Sequence, residues 1–233
     1  MSTTDVRDDQ LPRGTGGAKE STPIPAASVL LLRETPLEVL MIQRHERSSF
    51  VPGAWVFPGG AVEESDRLLG DGTELGTMRM AAVRELFEET AIWLGSPLPD
   101  AVTARRDLLE GRRAFADLLR ESPIDLPQLI WTARWITPAG VPKRFDTYFF
   151  LAVAPDAFTA AVDEGEAVDL RWITPDQAIA SLQMLFPTLK NLEAIRGFES
   201  AAALLQSRQA ADIPTTRPIL VIDGNQKRIV LPD

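Results

Sequence analysis

The chain of 233 residues contains no cysteine and one histidine, His45. The first absence removes disulfides, thiol nucleophiles and cysteine-based zinc sites, and the second removes sites built from several imidazoles. A metal in this protein must be held by oxygen, which points to a hard cation such as Mg2+. Long apolar runs are lacking as well. None approaches the ~18–20 residues needed to span a bilayer, and Met1–Glu20 is polar, without the apolar core of a secretory signal. Positive charge is in deficit: 24 Lys and Arg face 33 Asp and Glu, a formal net charge of -9. That balance argues against a general nucleic-acid binder and looks equally awkward for an anionic substrate. What remains is ordinary for a globular protein, 45% hydrophobic and 24% charged. The length suits one large domain, or one domain with additions, and is enough to bury a core.

Punctuation divides the chain. Met1–Thr22 has almost nothing to bury and reads as a mobile tail. Ala26–Arg33 and Val39–Gln43, split by Glu34-Thr35-Pro36, read as a hairpin. Ala54–Phe57 is a short strand ended by Pro58-Gly59-Gly60, and Gly70–Gly76 reads as a loop. Met78–Leu94 lacks Gly and Pro and predicts a helix that stops near Gly95-Ser96-Pro97. Asp100–Glu121 reads as a second, polar helix with Gly111 inside it. Leu129–Ile136, Phe145–Val153 and Leu170–Ile173 are strand candidates, the second apolar enough to be central in a sheet. Asp176–Leu185 and Thr188–Gln206 read as helices, and Ile219–Val221 with Arg228–Leu231 as a terminal hairpin. Strands before, between and after helices make the class α/β with a mixed sheet.

The most informative segment is Arg84-Glu85-Leu86-Phe87-Glu88-Glu89-Thr90-Ala91-Ile92. At ~100° per residue, Glu88 and Glu89 lie ~60° and ~40° to either side of Glu85, so three carboxylates share one helix face. Arg84, four before Glu88, can pair with it or steer Glu85. Met80, Val83, Phe87 and Ile92 form a stripe to bury against the sheet, with Leu86 and Ala91 near its margins. Carboxylates so gathered repel unless a cation sits among them. A solvated acidic face is the competing reading. The Gly59-Gly60 pair, first of all a turn, also lets backbone carbonyls approach a ligand or metal closely.

Together these residues resemble the signature of the Nudix hydrolase superfamily, G-x5-E-x7-R-E-U-x-E-E-x-G-U. Gly60 is its first glycine. Asp66 stands where the family has Glu, and Arg84–Ile92 matches the remainder except that Ala91 replaces a glycine. Residues 67–83 fill a space that is ten residues shorter in the family's box. Ala91 in place of glycine suggests a helix that runs straight through. Upstream, Leu40–Gly60 resembles the coenzyme A-type motif L-L-T-x-R-S-x3-R-x3-G-x3-F-P-G-G. Arg44, Gly53 and Phe57-Pro58-Gly59-Gly60 match it. Ser49 falls on the second arginine, with Arg47 as its substitute. Trp135-Ile136-Thr137-Pro138, Lys143–Leu151 and Leu185-Phe186-Pro187-Thr188-Leu189 resemble the coenzyme A diphosphatase branch.

The resemblance implies a Nudix-type α/β/α sandwich over residues 23–233, with a helical insertion at 97–127 and C-terminal helices. It implies a Mg2+- or Mn2+-dependent hydrolase of a nucleoside diphosphate-linked substrate. The preferred substrate would be coenzyme A or an acyl-CoA, with ADP-ribose, NADH or dinucleoside polyphosphates as alternatives. A nucleotide-binding domain without catalysis is the alternative of another class. Glu88 and Glu89 would hold the metal, helped by Glu85 and the Gly59 carbonyl, and Arg84 would orient the carboxylates. Glu85 or Glu166 would take the proton from water; Glu164 and Glu166 lie where many relatives add a carboxylate. Arg44, Arg47, Arg144 and Phe57 would meet the substrate. Arg144 shares a strand face with Asp146, so an ion pair is its other reading. No nucleic acid or membrane partner is expected, family members are often homodimers, and a chain ending Leu-Pro-Asp lacks an S-K-L-type peroxisomal address, which reads as cytoplasmic.

Overall fold

The computed structural model describes residues 21–34, 36–46, 51–141, 143–158, 160–161, 167–209, 211–223 and 226–231. Arg47, Ser49, Glu164, Glu166 and nearly all of the expected tail lie outside the described residues.

Strands β1 (Ile24–Arg33) and β2 (Glu38–Arg44) form the expected antiparallel hairpin. β3 (Trp55–Val56) pairs antiparallel with β2, and the Pro-Gly-Gly turn runs straight into β4 (Gly59–Ala61), which pairs with β1. Two helices follow, α1 (Glu64–Leu69) and α2 (Glu74–Thr90), then α3 (Ala101–Leu109) and α4 (Phe115–Glu121). Next come β5 (Ile130–Ile136), β6 (Phe145–Val153) and β7 (Ala167–Ile173). The C-terminal part holds α5 (Pro175–Ser181), α6 (Phe186–Ile195), α7 (Ala201–Gln209), β8 (Thr215–Thr216) and the hairpin β9 (Ile219–Asp223) and β10 (Gln226–Val230).

The main sheet runs β3-β2-β1-β6-β5-β8, with β4 on β1 and β7 on β2. β1–β6 and β5–β8 are parallel and the rest antiparallel, so the sheet is mixed. Alternation sends successive side chains to opposite faces. Val29 and Leu31 join Phe150 and Ala152 under α2, α3 and α4. Leu30 and Leu32 join Phe149 and Leu151 against α5–α7. Two apolar cores on one sheet make an α/β/α sandwich. Among the described residues no helix is long and apolar enough to cross a membrane.

Three expectations about helices change. The carboxylate helix starts earlier, because Thr73 caps it by accepting from Gly76 N. It also ends earlier, at Thr90, with Ala91 in the left-handed region at φ 60. It does not run through to Leu94. That conformation costs a non-glycine residue about 1–2 kcal/mol. Turning there buries Ile92 completely and sets Trp93 edge-on against Phe87 at 5.1 Å and Phe115 at 5.5 Å. Burial of side chains that size is worth about 1.5–3 kcal/mol each, which outweighs the strain. Leu86 and Ala91, expected at the margins of the apolar stripe, are fully buried, because α3 and α4 cover α2 where a one-sided helix would meet water. The polar helix at 100–121 breaks at Gly111 (φ 71) into α3 and α4, and the helix expected at Thr188–Gln206 breaks at Gly197 (φ 83) into α6 and α7. Glu34, at the tip of the first hairpin, caps α7 by accepting from Ala201 N at 2.6 Å.

Candidate active site

Helix α2 carries Arg84 into the interior, and its guanidinium organises the acids around it. Nε and Nη2 donate to Asp66 Oδ1 and Oδ2 at 3.0 and 2.9 Å. Nη2 also donates to Ala61 O at 2.9 Å, and Nη1 donates to Glu85 Oε1 at 3.0 Å and Glu88 Oε2 at 2.9 Å. All five guanidinium protons thus have an acceptor. Burial pulls the Arg84 pKa down, but the Asp66 hydrogen bonds and the charges of Glu85, Glu88 and Asp66 outweigh it and the net shift is upward. Burial pushes the Glu88 carboxyl up, against Arg84, which lowers it; Glu63 and Asp66 add to the rise. Asp66 is itself placed by the start of α1, where its carboxylate accepts from Glu63 N at 2.8 Å. The shorter aspartate therefore serves as the anchor of Arg84.

The glycine pair sits where the chain must come close. A Cβ on Gly59 would lie 2.3 Å from the Ala27 carbonyl, and one on Gly60 would lie 2.5 Å from the Glu85 carboxylate. Gly59 N donates to Glu89 Oε2 at 2.8 Å. Glu85 and Glu89 therefore project from α2 past two residues without side chains. They line a cavity of about 360 Å3 on the opposite face of the sheet.

The cavity walls are Phe57, Trp135, Phe149 and Phe186 with Ile229, and Arg44 and Lys143 supply its cations. Phe57 packs edge-on against Phe149 at 6.4 Å. Arg44 closes β2 beside a register shift after Gln43. Glu88 stays with Arg84 and is not among the lining residues. Arg144 is elsewhere: it donates to Thr137 O at 3.0 Å and Ser21 O at 2.9 Å. Asp146 pairs with Arg134, not with Arg144. Alternation explains the difference. Phe145, Thr147 and Phe149 line the cavity, so position 143 shares their face and 144 and 146 take the other. Lys143, with Nζ 5.1 Å from the Phe145 ring centroid, is the cation that reasoning from Arg144 misses, and counting back by twos from Phe149 would have found it.

A family model of the NUDIX domain matches residues 22–193. The chain belongs to the Nudix family. This Nudix chain is 35% identical over 161 residues to "Putative nudix hydrolase 7" of Caenorhabditis elegans, covering 66% of this chain and 52% of that protein. It is 27% identical over 205 residues to the human acyl-coenzyme A diphosphatase NUDT19, covering 61% and 55%. The chain thus spans about half the length of the curated relatives it matches. In fold it resembles a NUDIX hydrolase from Alicyclobacillus acidocaldarius, with a TM-score of 0.73 at 24% identity over 82% of this chain and 99% of that one.

Nudix enzymes in general use divalent metal ions, and the acids around Arg84 offer oxygen donors of the kind such ions take. The donors are all oxygen, which suits Mg2+ or Mn2+. Gly60 leaves a cradle in which the Glu85 carboxylate rests. Among the described residues no three acidic or histidine side chains are already gathered as a ligand set. Glu85 and Glu88 are instead drawn together by Arg84.

Proposed function

We propose that this Nudix domain hydrolyses the phosphoanhydride of a nucleoside diphosphate derivative, with coenzyme A or an acyl-CoA as its substrate. The observation that carries the reading is the arrival of Glu85 and Glu89, through the gap at Gly59 and Gly60, in a cavity that also holds Arg44 and Lys143. A diphosphate bound there would meet both the cations and the carboxylates. Kinship with proteins named acyl-coenzyme A diphosphatases, at 25–28% identity, supports the choice of substrate. So does the apolar character of the remaining wall.

Glu85, Glu88 and Glu89, with the Gly59 carbonyl, would hold the metal. The ion would supply charge neutralisation at the diphosphate and lower the pKa of a bound water. Arg84 fixes the directions of Glu85 and Glu88. Arg44 and Lys143 neutralise the outer phosphate oxygens, and Phe57 walls the site. Water attacks one phosphorus and the bridging P–O bond breaks. Glu85, or Glu166, accepts the water proton. The products are adenosine 3',5'-bisphosphate and phosphopantetheine or its acyl thioester. All three box glutamates are present, which disfavours binding without catalysis.

The test is a panel of CoA, acetyl-CoA, ADP-ribose, NADH and diadenosine polyphosphates with Mg2+ or Mn2+, resolved by chromatography. CoA and acetyl-CoA are expected to turn over fastest, and Glu88→Gln and Glu89→Gln are each expected to lose at least about a hundredfold in kcat. Turnover of nothing in the panel sinks the enzyme reading, and ADP-ribose well ahead of CoA sinks the substrate assignment.

A further inference from the structure

The family match ends at residue 193, yet two residues far beyond it, Pro218 and Ile229, line the cavity. Strand register shows how they reach it. One row of paired residues crosses five strands: Ala61 on β4, Ala26 on β1, Thr147 on β6, Trp135 on β5 and Thr216 on β8. Ala61, Ala26, Thr147 and Trp135 all line the cavity, so the row is its floor. Three inter-strand steps from Ala61 to Trp135 make that floor roughly 14 Å long. At one end Ala61 O accepts from Arg84, beside the carboxylates. At the other, β8 runs parallel to β5 for two residues and hands the chain to Pro218 and the β9–β10 hairpin.

The two ends differ in chemistry. The far end holds Trp135, set edge-on to Phe186 at 5.9 Å and 88°, with Pro218 and the buried Ile229. A diphosphate spans only a fraction of that floor, so the group attached to it must cross the sheet. Sugar hydroxyls set against Phe186, Pro218 and Ile229 would lose water without gaining partners from those side chains. Alkyl carbon gains there, by about a factor of four in affinity per buried methylene.

We infer that the C-terminal hairpin is the specificity element of this cavity: Pro218 and Ile229 close its far end and select a substrate whose group remote from the diphosphate ends in an apolar chain. The inference rests on cleavage of the diphosphate at Glu85 and Glu89, as proposed above, and adds what determines the remainder of the substrate.

The experiment is a series of saturated acyl-CoAs of increasing chain length. kcat/KM is measured with Mg2+ for the wild type, Ile229→Trp and Ile229→Ala, and affinity is measured by calorimetry without added metal. In the wild type, kcat/KM is expected to climb about fourfold per methylene until the chain meets Ile229, and then to fall. Ile229→Trp moves the optimum to shorter chains and Ile229→Ala to longer ones, opposite shifts that loss of folded protein cannot produce. Hydrolysis of CoA with a flat chain-length profile in the wild type overturns the hairpin assignment and leaves the reaction standing. An optimum unmoved in both folded variants does the same. Chain-length-dependent affinity without hydrolysis supports the hairpin assignment and sinks the reaction. Neither hydrolysis nor length-dependent affinity overturns both.

Discussion

Two arginine–aspartate pairs of nearly the same bond geometry lie in this protein, and they do different work. Arg84 grips Asp66 with two bonds of 3.0 and 2.9 Å, and Arg134 grips Asp146 with two of 2.9 and 2.7 Å. The first pair is sealed, its side chains 3% and 0% exposed, while the second is 24% and 20% exposed. Arg84 has its remaining donors on Ala61, Glu85 and Glu88. Arg134 lies 4.6 Å over the ring of Tyr148, whose hydroxyl donates to Glu74 at the start of α2. One pair holds Glu85, which lines the cavity, together with Glu88, which does not; the other fastens the opposite end of the same helix to the sheet. Bond length does not separate them. Burial and the identity of the third partner do.

Breaking the sealed pair has the largest expected effect. Arg84→Ala leaves Asp66 charged and buried without its cation, and Glu85 and Glu88 repel with nothing between them. Removing one partner of a buried pair costs about 3–5 kcal/mol. A denaturant midpoint should register that loss, and phosphoanhydride hydrolysis should disappear with it. Retention of wild-type stability would mean that Asp66 is satisfied without Arg84.

The two pairs also differ in how far they can be read from sequence. Arg84, Glu85 and Glu88 are legible because helix periodicity puts i and i+4 side by side, and the box spacing reinforces it. The partner Asp66 is legible as a position in the box, but its role as anchor needs α1, six residues long, to turn its side chain inward. Arg134, Tyr148 and Glu74 come from three segments far apart in the chain, and no local period links them. The same limit explains the helix ends. Ala91 leaves the helix for the burial of Ile92 and Trp93, and α7 starts where Glu34 reaches it from the first hairpin. Lys143 was within reach of simple alternation, whereas Pro218 and Ile229 became part of the site only through the β5–β8 pairing.

A smaller lesion sharpens the comparison without touching a charge. Gly60→Ala puts a methyl group where the Glu85 carboxylate lies, so either the side chain or β4 must move. Overpacking of this kind costs about 1–3 kcal/mol. A displacement near 1 Å at a catalytic group costs about a hundredfold in rate. Activity should therefore fall much further than stability, and kcat should carry the loss more than KM. A rise in KM at unchanged kcat would assign Glu85 to substrate binding alone.

The exposed pair should give the least. Arg134→Ala is expected to cost about 1 kcal/mol, the sum of a partly exposed ion pair and a cation–π contact. Hydrolysis should change less than twofold, since nothing in this network lines the cavity. A subtler readout is available because the chain has one tyrosine. Burial first, and then the hydrogen bond to Glu74, push Tyr148 up to about 12 from its ordinary 10.0, while Arg134 pulls it the other way. A raised pKa means that the fold favours the neutral phenol. Its stabilising contribution is therefore complete below pH 10 and is lost as pH rises toward about 12. Phenolate absorbance of the native protein should appear only in that upper range, and Arg134→Ala should move it higher still, because the nearby positive charge is gone. Titration at the ordinary value would mean that Tyr148 is open to water, and that the second pair holds no more than two strands.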